Sequence, residues 1–191
     1  MRAPALLFVF LCLAAGLSRA AEMRSIEIDY ADGQYRLESV VWFDADPGAV
    51  YRVFRSWDLS SQFSSAIVEA RDLEADALGR PGFYVLNRGC VLFFCKSLVR
   101  QGYVESEPNV ELRAFADPAE SDFEFSNETW AFEADGRGTT VLYKLHMKPA
   151  FWVPPAIGPW MIKRKLRNDG SDALDRIEAI ARGLPAMGAT H

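Results

Sequence analysis

Apolar and polar positions alternate along most of the chain, and this pattern predicts a sheet of consecutive strands. Residues 24–30 and 35–43 alternate on either side of an Asp-Gly turn signal at 32–33, which predicts a hairpin. Because no helical pattern separates the later runs, we expect an antiparallel, meandering sheet. Six further strand-like runs lie between turn-favouring segments: 66–73, 82–92, 96–105, 109–116, 122–134 and 139–147.

Helical spacing first appears directly after the predicted hairpin. Asp46 is suited to be an N-cap and Pro47 the first helical residue, and an apolar stripe then runs from Val50 to Trp57. A second short helix is expected at 59–63. Both helices are therefore inserted between the hairpin and the later strands.

A longer helical pattern ends the chain. After Pro159, apolar residues recur on one helical face as far as Ala181. Gly170 weakens the middle of this helix and favours a kink near 168–171. The order of elements predicts an α+β fold in which a curved antiparallel β-sheet grips a long C-terminal α-helix, with short helices after the first long strand.

The first twenty residues have the pattern of a cleavable secretory signal. Arg2 precedes an apolar run at 5–17, and small residues at 18 and 20 suit signal peptidase. At about 1.5 Å per residue the run spans about 20 Å, short of a roughly 30 Å hydrocarbon core, so cleavage after Ala20 is favoured over a retained anchor. We expect a periplasmic or secreted protein.

The exported chain is expected to form one domain. It would comprise an N-terminal strand and turn at 21–34, a main domain at 35–182 and a flexible tail at 183–191. Hydrophobic residues make up 50% of the sequence, which is ample for a core. Loss of Arg2 and Arg19 with the signal would reduce the 21 basic residues to 19 against 26 acidic ones, a net charge of −7. This charge disfavours a nucleic-acid partner.

Cys90 and Cys95 are the cysteines that remain after signal removal, and such a pair in an oxidising compartment predicts a disulfide. On one continuous strand their Cα atoms would lie roughly 16 Å apart, whereas a disulfide needs about 4.4 to 6.8 Å. The bridge therefore requires residues 90–95 to form a loop or a hairpin tip.

Side chains suited to metal binding or nucleophilic chemistry are scarce. His146 and His191 are the only histidines, and neither has a partner at ligand spacing, so we expect no metal site and no cofactor. The sequence contains no Gly-x-Ser-x-Gly elbow, phosphate loop or dinucleotide fingerprint. No catalytic set can be recognised from these motifs.

Three residues are weak candidates for acid–base chemistry. Glu128 could act as an acid in an apolar cavity, but an ion pair with Arg88 or Arg100 on a neighbouring strand is favoured. Arg88 could instead fix a ligand headgroup, although an outward position on the sheet is favoured. Tyr143 shares the apolar face of its strand, whereas His146 falls on the opposite face and is expected to point outward.

Two apolar segments stand outside the alternating pattern. One is 91–94, between the cysteines, and the other is an aromatic, proline-stiffened stretch at 151–162 followed by four cations within 163–167. Aromatic residues beside Lys and Arg are typical of peripheral membrane contacts, which predicts such a contact through 151–167. The favoured alternative is core packing at the helix entrance with the cations in solvent.

The order of elements, with Ser39 to Phe43, Asp46-Pro47 and Trp57 to Phe63 in sequence, resembles the START-like helix-grip (SRPBCC) superfamily. This superfamily includes polyketide cyclase/dehydrase-like and coenzyme Q-binding-like proteins, and the resemblance covers residues 36–182. It implies a cavity between the sheet and the last helix. The residues expected to line the cavity are Trp57, Phe63, Phe83, Phe115, Trp130, Tyr143, Met147, Trp152 and Trp160.

These features favour a protein that binds or transports an apolar small molecule, such as a lipid, isoprenoid or polyketide-like compound, in the cell envelope without catalysis. The resemblance supplies most of this expectation. One alternative is an enzyme of the polyketide cyclase or dehydratase type that uses Glu128, Tyr143 or His146 for proton transfer. Another is an envelope protein that docks on a membrane or on a partner.

Overall fold

The computed structural model describes residues 21–91, 94–153 and 158–183. The predicted signal sequence at 1–20 lies outside the described residues, as do 92–93, 154–157 and most of the predicted tail. None of the described helices is long and apolar enough to cross a membrane.

Eight strands form one antiparallel sheet in the order β1-β2-β8-β7-β6-β5-β4-β3. From β3 to β8 each strand pairs with the next along the chain, and β2 then pairs with β8, so the predicted antiparallel meander is confirmed. The strands are β1 Glu22–Ala31, β2 Gln34–Phe43, β3 Ile67–Leu73, β4 Gly82–Val91, β5 Phe94–Glu107, β6 Glu111–Ala116, β7 Phe123–Asp135 and β8 Gly138–Pro149.

Two short helices follow β2, as the sequence pattern predicts. Helix α1 spans Pro47–Arg55, and the Asp46 side chain caps it by accepting a 3.2 Å hydrogen bond from the backbone N–H of Ala49. The second helix, Trp57–Gln62, is a 3₁₀ helix that covers most of the predicted 59–63 segment. Both helices therefore lie where the chain leaves β2 and before it enters β3.

Helix α2 spans Gly158–Ala181 and runs without interruption through Gly170. Its C-terminal part is anchored to the connection between β2 and α1. Glu178, a buried residue, accepts a 2.9 Å hydrogen bond from the backbone N–H of Asp44. The Asp44 carboxylate pairs in turn with Arg137 at 3.0 Å and with Arg182 at 3.8 Å. These contacts fix one end of the helix that closes the fold.

The core has two apolar clusters on the inner face of the sheet. The larger one joins α1 and the C-terminal part of α2 to the sheet through residues such as Phe43, Val50 and Ile177. The smaller one is formed by the β1, β2, β7 and β8 end of the sheet, and Ile162 and Leu166 of α2 pack against it. Members of both clusters line a shared cavity, which lies between them.

Candidate ligand-binding cavity

A cavity of about 510 Å³ lies between the inner face of the sheet and α2. The sheet supplies inward side chains such as Val41 and Leu145, and α2 supplies Leu166, Leu174 and Ile177. Their position follows from strand alternation, which sends every second side chain to the same face. The volume falls within the range of roughly 300 to 1,000 Å³ that is typical of small-molecule sites.

Aromatic rings form one wall of the cavity. Trp130 of β7 and Tyr143 of β8 are paired in the strand register, and their rings stack with centroids 5.2 Å apart. Phe54 of α1 packs against Trp130 at 6.1 Å, and Phe63 packs against Phe54 at 6.3 Å. All four residues line the cavity, so this wall is wide, stiff and largely apolar.

A buried polar cluster interrupts the apolar wall. Arg100 of β5 pairs with Glu128 of β7 at 2.5 Å, and the Tyr143 hydroxyl donates a 2.7 Å hydrogen bond to the same Glu128 oxygen, Oε1. The Arg100 and Glu128 side chains are only 16% and 5% exposed, and all three residues line the cavity. The predicted ion pair of Glu128 is thus confirmed with Arg100, and it lies inside the fold.

The environment of this cluster keeps the Tyr143 hydroxyl protonated. Burial raises the pKa of Tyr143 well above its usual 10.0, and the neighbouring Glu128 charge raises it further. The phenol is therefore a hydrogen-bond donor at any physiological pH. Glu128 Oε2 and Arg100 Nε are also buried, and neither has a hydrogen-bond partner among the described residues. The described residues thus leave part of the hydrogen-bonding capacity of this cluster unused.

His146 lies on the other face of β8, as predicted. Its Nε2 is 2.7 Å from Gln34 Oε1, and its ring meets Phe125 edge-on at 4.7 Å. Desolvation lowers the pKa of His146, and the charge of Arg36 lowers it further. Since His146 does not line the cavity, the structure separates it from Glu128 and Tyr143.

The mouth of the cavity is marked by the lining residues that are exposed to solvent. Among the described lining residues these are Arg88, Lys96 and Trp152. Lys96 Nζ lies 3.6 Å from the centre of the Phe151 ring, so β5 meets the segment after β8 at this point. Arg88 is exposed as predicted, but it stands at the entrance of the cavity rather than away from it.

Five of the nine residues predicted to line the cavity do so: Phe63, Trp130, Tyr143, Met147 and Trp152. Trp130, Tyr143 and Met147 lie on the inner face of their strands, and Phe63 directly follows the 3₁₀ helix. Trp152 lies at the rim and is 78% exposed. The structure therefore places most of the predicted aromatic lining around one space.

The prediction is wrong for Trp57, Phe83, Phe115 and Trp160, which do not line the cavity. Trp57 and Phe83 stack on each other at 4.4 Å and fill the core instead. Phe115 falls between the buried positions of β6 and stacks on Tyr103 at 5.2 Å, away from the inner face. Trp160 is 62% exposed on α2.

Sequence reasoning missed the cavity position of Arg100 and Lys165. Arg100 is paired with Val85, which is fully buried, so strand register turns both side chains inward. Leu98 lies on the same face of β5 and also lines the cavity. The two-residue spacing of Leu98 and Arg100 puts both side chains on one face of β5. Which face is the inner one is known only from the register with β4.

The hairpin of β4 and β5 brings the cysteines together. Cys90 and Cys95 are direct partners in the strand register. Such partners lie about 4.5 to 5.5 Å apart at their Cα atoms, within the range that a disulfide requires. The backbone thus meets the condition that the sequence sets for the bridge, and the bridge itself stays a prediction.

In the part of the chain that the structure describes, no three His, Cys, Asp or Glu residues are grouped to hold a metal ion.

A curved sheet, a long closing helix and an internal apolar cavity are the defining features of a helix-grip protein. The predicted fold class is therefore confirmed by the architecture.

Comparison with solved structures leads to the same fold. The chain is similar to a STAR-related lipid transfer protein from Xanthomonas axonopodis, with a TM-score of 0.60 and 16% identity over 82% of this chain and 98% of the other. It is also similar to the Zhui aromatase/cyclase from Streptomyces sp. R1128, with a TM-score of 0.62 and 13% identity over 82% and 99% of the two chains.

A START superfamily protein from Mycobacterium smegmatis gives a TM-score of 0.60 and 14% identity over 76% of this chain and 98% of that one. No protein-family model matches the sequence, and no curated protein matches it significantly. The chain has the START-like (SRPBCC) helix-grip fold, and at these identities the comparisons establish the fold alone.

Proposed function

We propose that this protein binds and carries an apolar small molecule in the cell envelope without converting it chemically. The observation that carries the proposal is the cavity of about 510 Å³, whose wall is mainly apolar and includes one buried ion pair, Arg100 with Glu128. Each buried CH₂ group contributes about 0.8 kcal/mol, so roughly ten of them give a gross gain near that of micromolar binding. No reactive residue is needed for this role.

The buried cluster indicates that the ligand has one hydrogen-bonding end. Glu128 and Arg100 each keep a buried polar atom without a partner among the described residues. An unsatisfied buried polar group costs about 1 to 3 kcal/mol, which a ligand group such as a hydroxyl would recover after a small side-chain shift. The expected ligand is therefore a lipid, isoprenoid or polyketide-like molecule with a polar terminus next to Glu128.

The solved neighbours support this proposal. One is named as a lipid transfer protein and another as an aromatase/cyclase, and both have the same fold as this chain.

The envelope location rests on the signal pattern of residues 1–20. Cell fractionation tests the location, and the expected result is a mature protein in the envelope fraction that begins after Ala20.

Exchange at a membrane is part of the proposed role. An apolar ligand is poorly soluble in water, so a carrier loads and unloads where the ligand is concentrated. Trp152, at the mouth of the cavity, belongs to the segment 151–167 for which the sequence predicts a peripheral membrane contact. The position of Trp152 at the mouth supports a role for this segment in the exchange.

Native mass spectrometry of protein purified from its own host tests the carrier role. Solvent extraction should release one apolar molecule per chain, and the same molecule should be recovered unchanged after incubation with the pure protein. A chain that is empty, and stays empty when offered a total lipid extract of the host, would contradict the proposal.

A cyclase- or dehydratase-type enzyme is the second candidate, and the position of Glu128 and Tyr143 in the cavity wall favours it. His146 is no longer a candidate for this role because it lies on the opposite face of the sheet. Incubation with a polyketide-like chain followed by mass analysis separates the two functions. A product formed by loss of water, abolished in Glu128→Gln, would establish the enzyme, whereas unchanged substrate supports the carrier.

A further inference from the structure

We infer that the cavity mouth and the adjoining exposed start of α2 form a docking surface for an anionic phospholipid bilayer. This docking surface consists of Trp152 and Trp160, the cations Lys163 and Arg164 of α2, and Lys96 of β5. The inference deepens the proposed function by naming the surface on which the ligand is exchanged. It rests on that function only for the reason why the protein would dock on a bilayer. The docking itself requires no ligand in the cavity.

The two tryptophans are exposed where tryptophan is normally buried. Trp152 is 78% exposed and Trp160 is 62% exposed. The favoured expectation of core packing holds for Ile162, which packs against the smaller core cluster, but it is wrong for Trp152 and Trp160. An indole ring has an apolar body and a polar N–H, and it is enriched at the headgroup level of bilayers for that reason.

Positive charge surrounds these tryptophans although the protein is acidic. Residues 149–168 contain four cations and no acidic residue, in a sequence of net charge −5. The Arg164 guanidinium lies 5.4 Å from the centre of the Trp160 ring. A surface that combines indole rings with cations complements an anionic headgroup layer, and the acidic remainder of the protein would be repelled from it.

The charged residues at the mouth of the cavity are also positive. Lys96 and Arg88 are exposed, and Lys165 lines the cavity beside them. Glu128 is the acidic residue among the described lining residues, and it is buried and paired with Arg100. The rim that would face a bilayer therefore presents cations without exposed carboxylates among its described lining residues.

Docking through this surface would turn the cavity towards the lipid. Four segments meet at the mouth, because Lys96 of β5 lies 3.6 Å from the centre of the Phe151 ring after β8, and the Lys165 side chain of α2 approaches Gly89 of β4. A bilayer in contact with Trp152, at the rim of the cavity, would thus cover the entrance. A ligand could then pass between the acyl-chain layer and the cavity without entering water.

Vesicle sedimentation of the mature chain tests the inference. The probes are mixed phosphatidylcholine and phosphatidylglycerol vesicles, with phosphatidylcholine alone as the comparison. We expect binding to the mixed vesicles that weakens as salt is added, and weak or no binding to the neutral ones. Each cation near an anionic surface is worth about fivefold in affinity, so K163E/R164E should bind at least about thirtyfold more weakly.

Matched variants elsewhere on the surface control for charge and apolar area. R36E/K144E makes the same charge change at exposed positions of β2 and β8, and it should bind mixed vesicles like the wild type. W152A/W160A should lose about tenfold or more, whereas Leu78→Ala, at a residue that is 77% exposed, should change little. Circular dichroism and unfolding midpoints establish that each variant is folded.

Wild-type protein that does not bind the mixed vesicles would overturn the inference, and so would three other outcomes. They are wild-type binding that ignores phosphatidylglycerol, equal losses in the test and control variants, and a wild-type dimer that W152A/W160A disrupts without any vesicle binding. The last outcome would identify a second copy of the chain as the occupant.

A cavity-filling variant distinguishes failure of docking from failure of the carrier function. Ser39 lines the cavity and is 4% exposed, and Ser39→Phe should retain vesicle binding while losing the apolar ligand. A chain that carries a ligand but does not bind vesicles would leave the carrier function standing and refute the docking surface. A wild-type chain that binds vesicles but carries no ligand would leave the docking surface standing and refute the carrier function.

Discussion

The ion pair of Arg100 and Glu128 is the most enclosed charge interaction on the cavity wall. Removing one partner leaves an uncompensated buried charge, so Arg100→Met or Glu128→Leu should each reduce the free energy of unfolding by about 3 to 5 kcal/mol. The double variant should recover much of this loss because neither charge remains. Urea unfolding of the four proteins measures the effect, and single losses below about 0.5 kcal/mol would show that solvent reaches the pair.

Tyr35 and Tyr143 are expected to respond differently to the loss of their hydroxyl groups. Tyr35 is 1% exposed, burial raises its pKa to about 12, and its hydroxyl has no hydrogen-bond partner among the described residues. Tyr35→Phe should therefore be neutral or stabilising by about 1 kcal/mol. Tyr143→Phe loses the bond to Glu128 and should destabilise by about 1.5 to 3 kcal/mol. Melting temperatures that fall equally in both variants would contradict this difference.

His146 predicts a pH dependence of stability. Its pKa is lowered from 6.5 in the folded protein, so the unfolded chain takes up a proton first as the pH falls. The contribution of this residue to stability is complete above about pH 6.5 and is lost progressively below it, down to the folded-state pKa. His146→Gln should flatten the pH dependence between about pH 7 and 5 relative to wild type. Identical slopes would show that the residue titrates normally.

Residue-level prediction from the sequence succeeded where strand alternation alone decides the outcome. The outward position of His146 and the inward positions of Tyr143 and Met147 follow from the pattern of β8. The prediction is wrong for Phe115, because this residue alternates with the buried Leu112 and Ala114 and therefore lies on the opposite face of β6. Side-chain type is a weaker guide to the cavity than position in the strand.

At the level of elements, the anchoring of α2 through Glu178 predicts a local effect. Glu178→Ala removes the acceptor for the Asp44 N–H and should cost about 1 to 3 kcal/mol. Hydrogen exchange should then speed up in α2 more than in the central strands. Glu38→Ala is the control, because Glu38 is 61% exposed in its ion pair with Lys144, and it should leave α2 unchanged. Uniform acceleration across the sheet would refute a local anchor.

The strands and helices were largely predictable because turn signals separate them. The Asp-Gly turn and the Asp46-Pro47 cap lie where the structure has a hairpin and the start of α1. The helical pattern of α2 did not show that Trp160 is exposed, because the buried face of a helix depends on what it packs against. The pairing of Cys90 with Cys95 likewise depended on strand register, which the sequence left open.

At the scale of the whole molecule, the sequence predicted the helix-grip fold but not the size of its cavity. Aromatic residues such as Trp57 and Phe83 fill the core by stacking on each other, whereas Trp130 and Tyr143 stack along the edge of the empty space. Composition cannot distinguish these two uses of an aromatic ring. The volume emerges from how far α2 stands from the sheet, and no single segment of the chain encodes that distance.

The central claim is that the cavity holds an apolar ligand, and filling the cavity tests it directly. Ser39→Phe places a ring beside Tyr143, its partner in the strand register, while Ser106→Phe makes the same change at an exposed position of β5. We would titrate the wild type and both variants with a fluorescent fatty-acid analogue. We expect saturable binding to the wild type and to Ser106→Phe, and at least about tenfold weaker binding to folded Ser39→Phe. Equal affinity in all three proteins would contradict it, because the probe would then bind elsewhere.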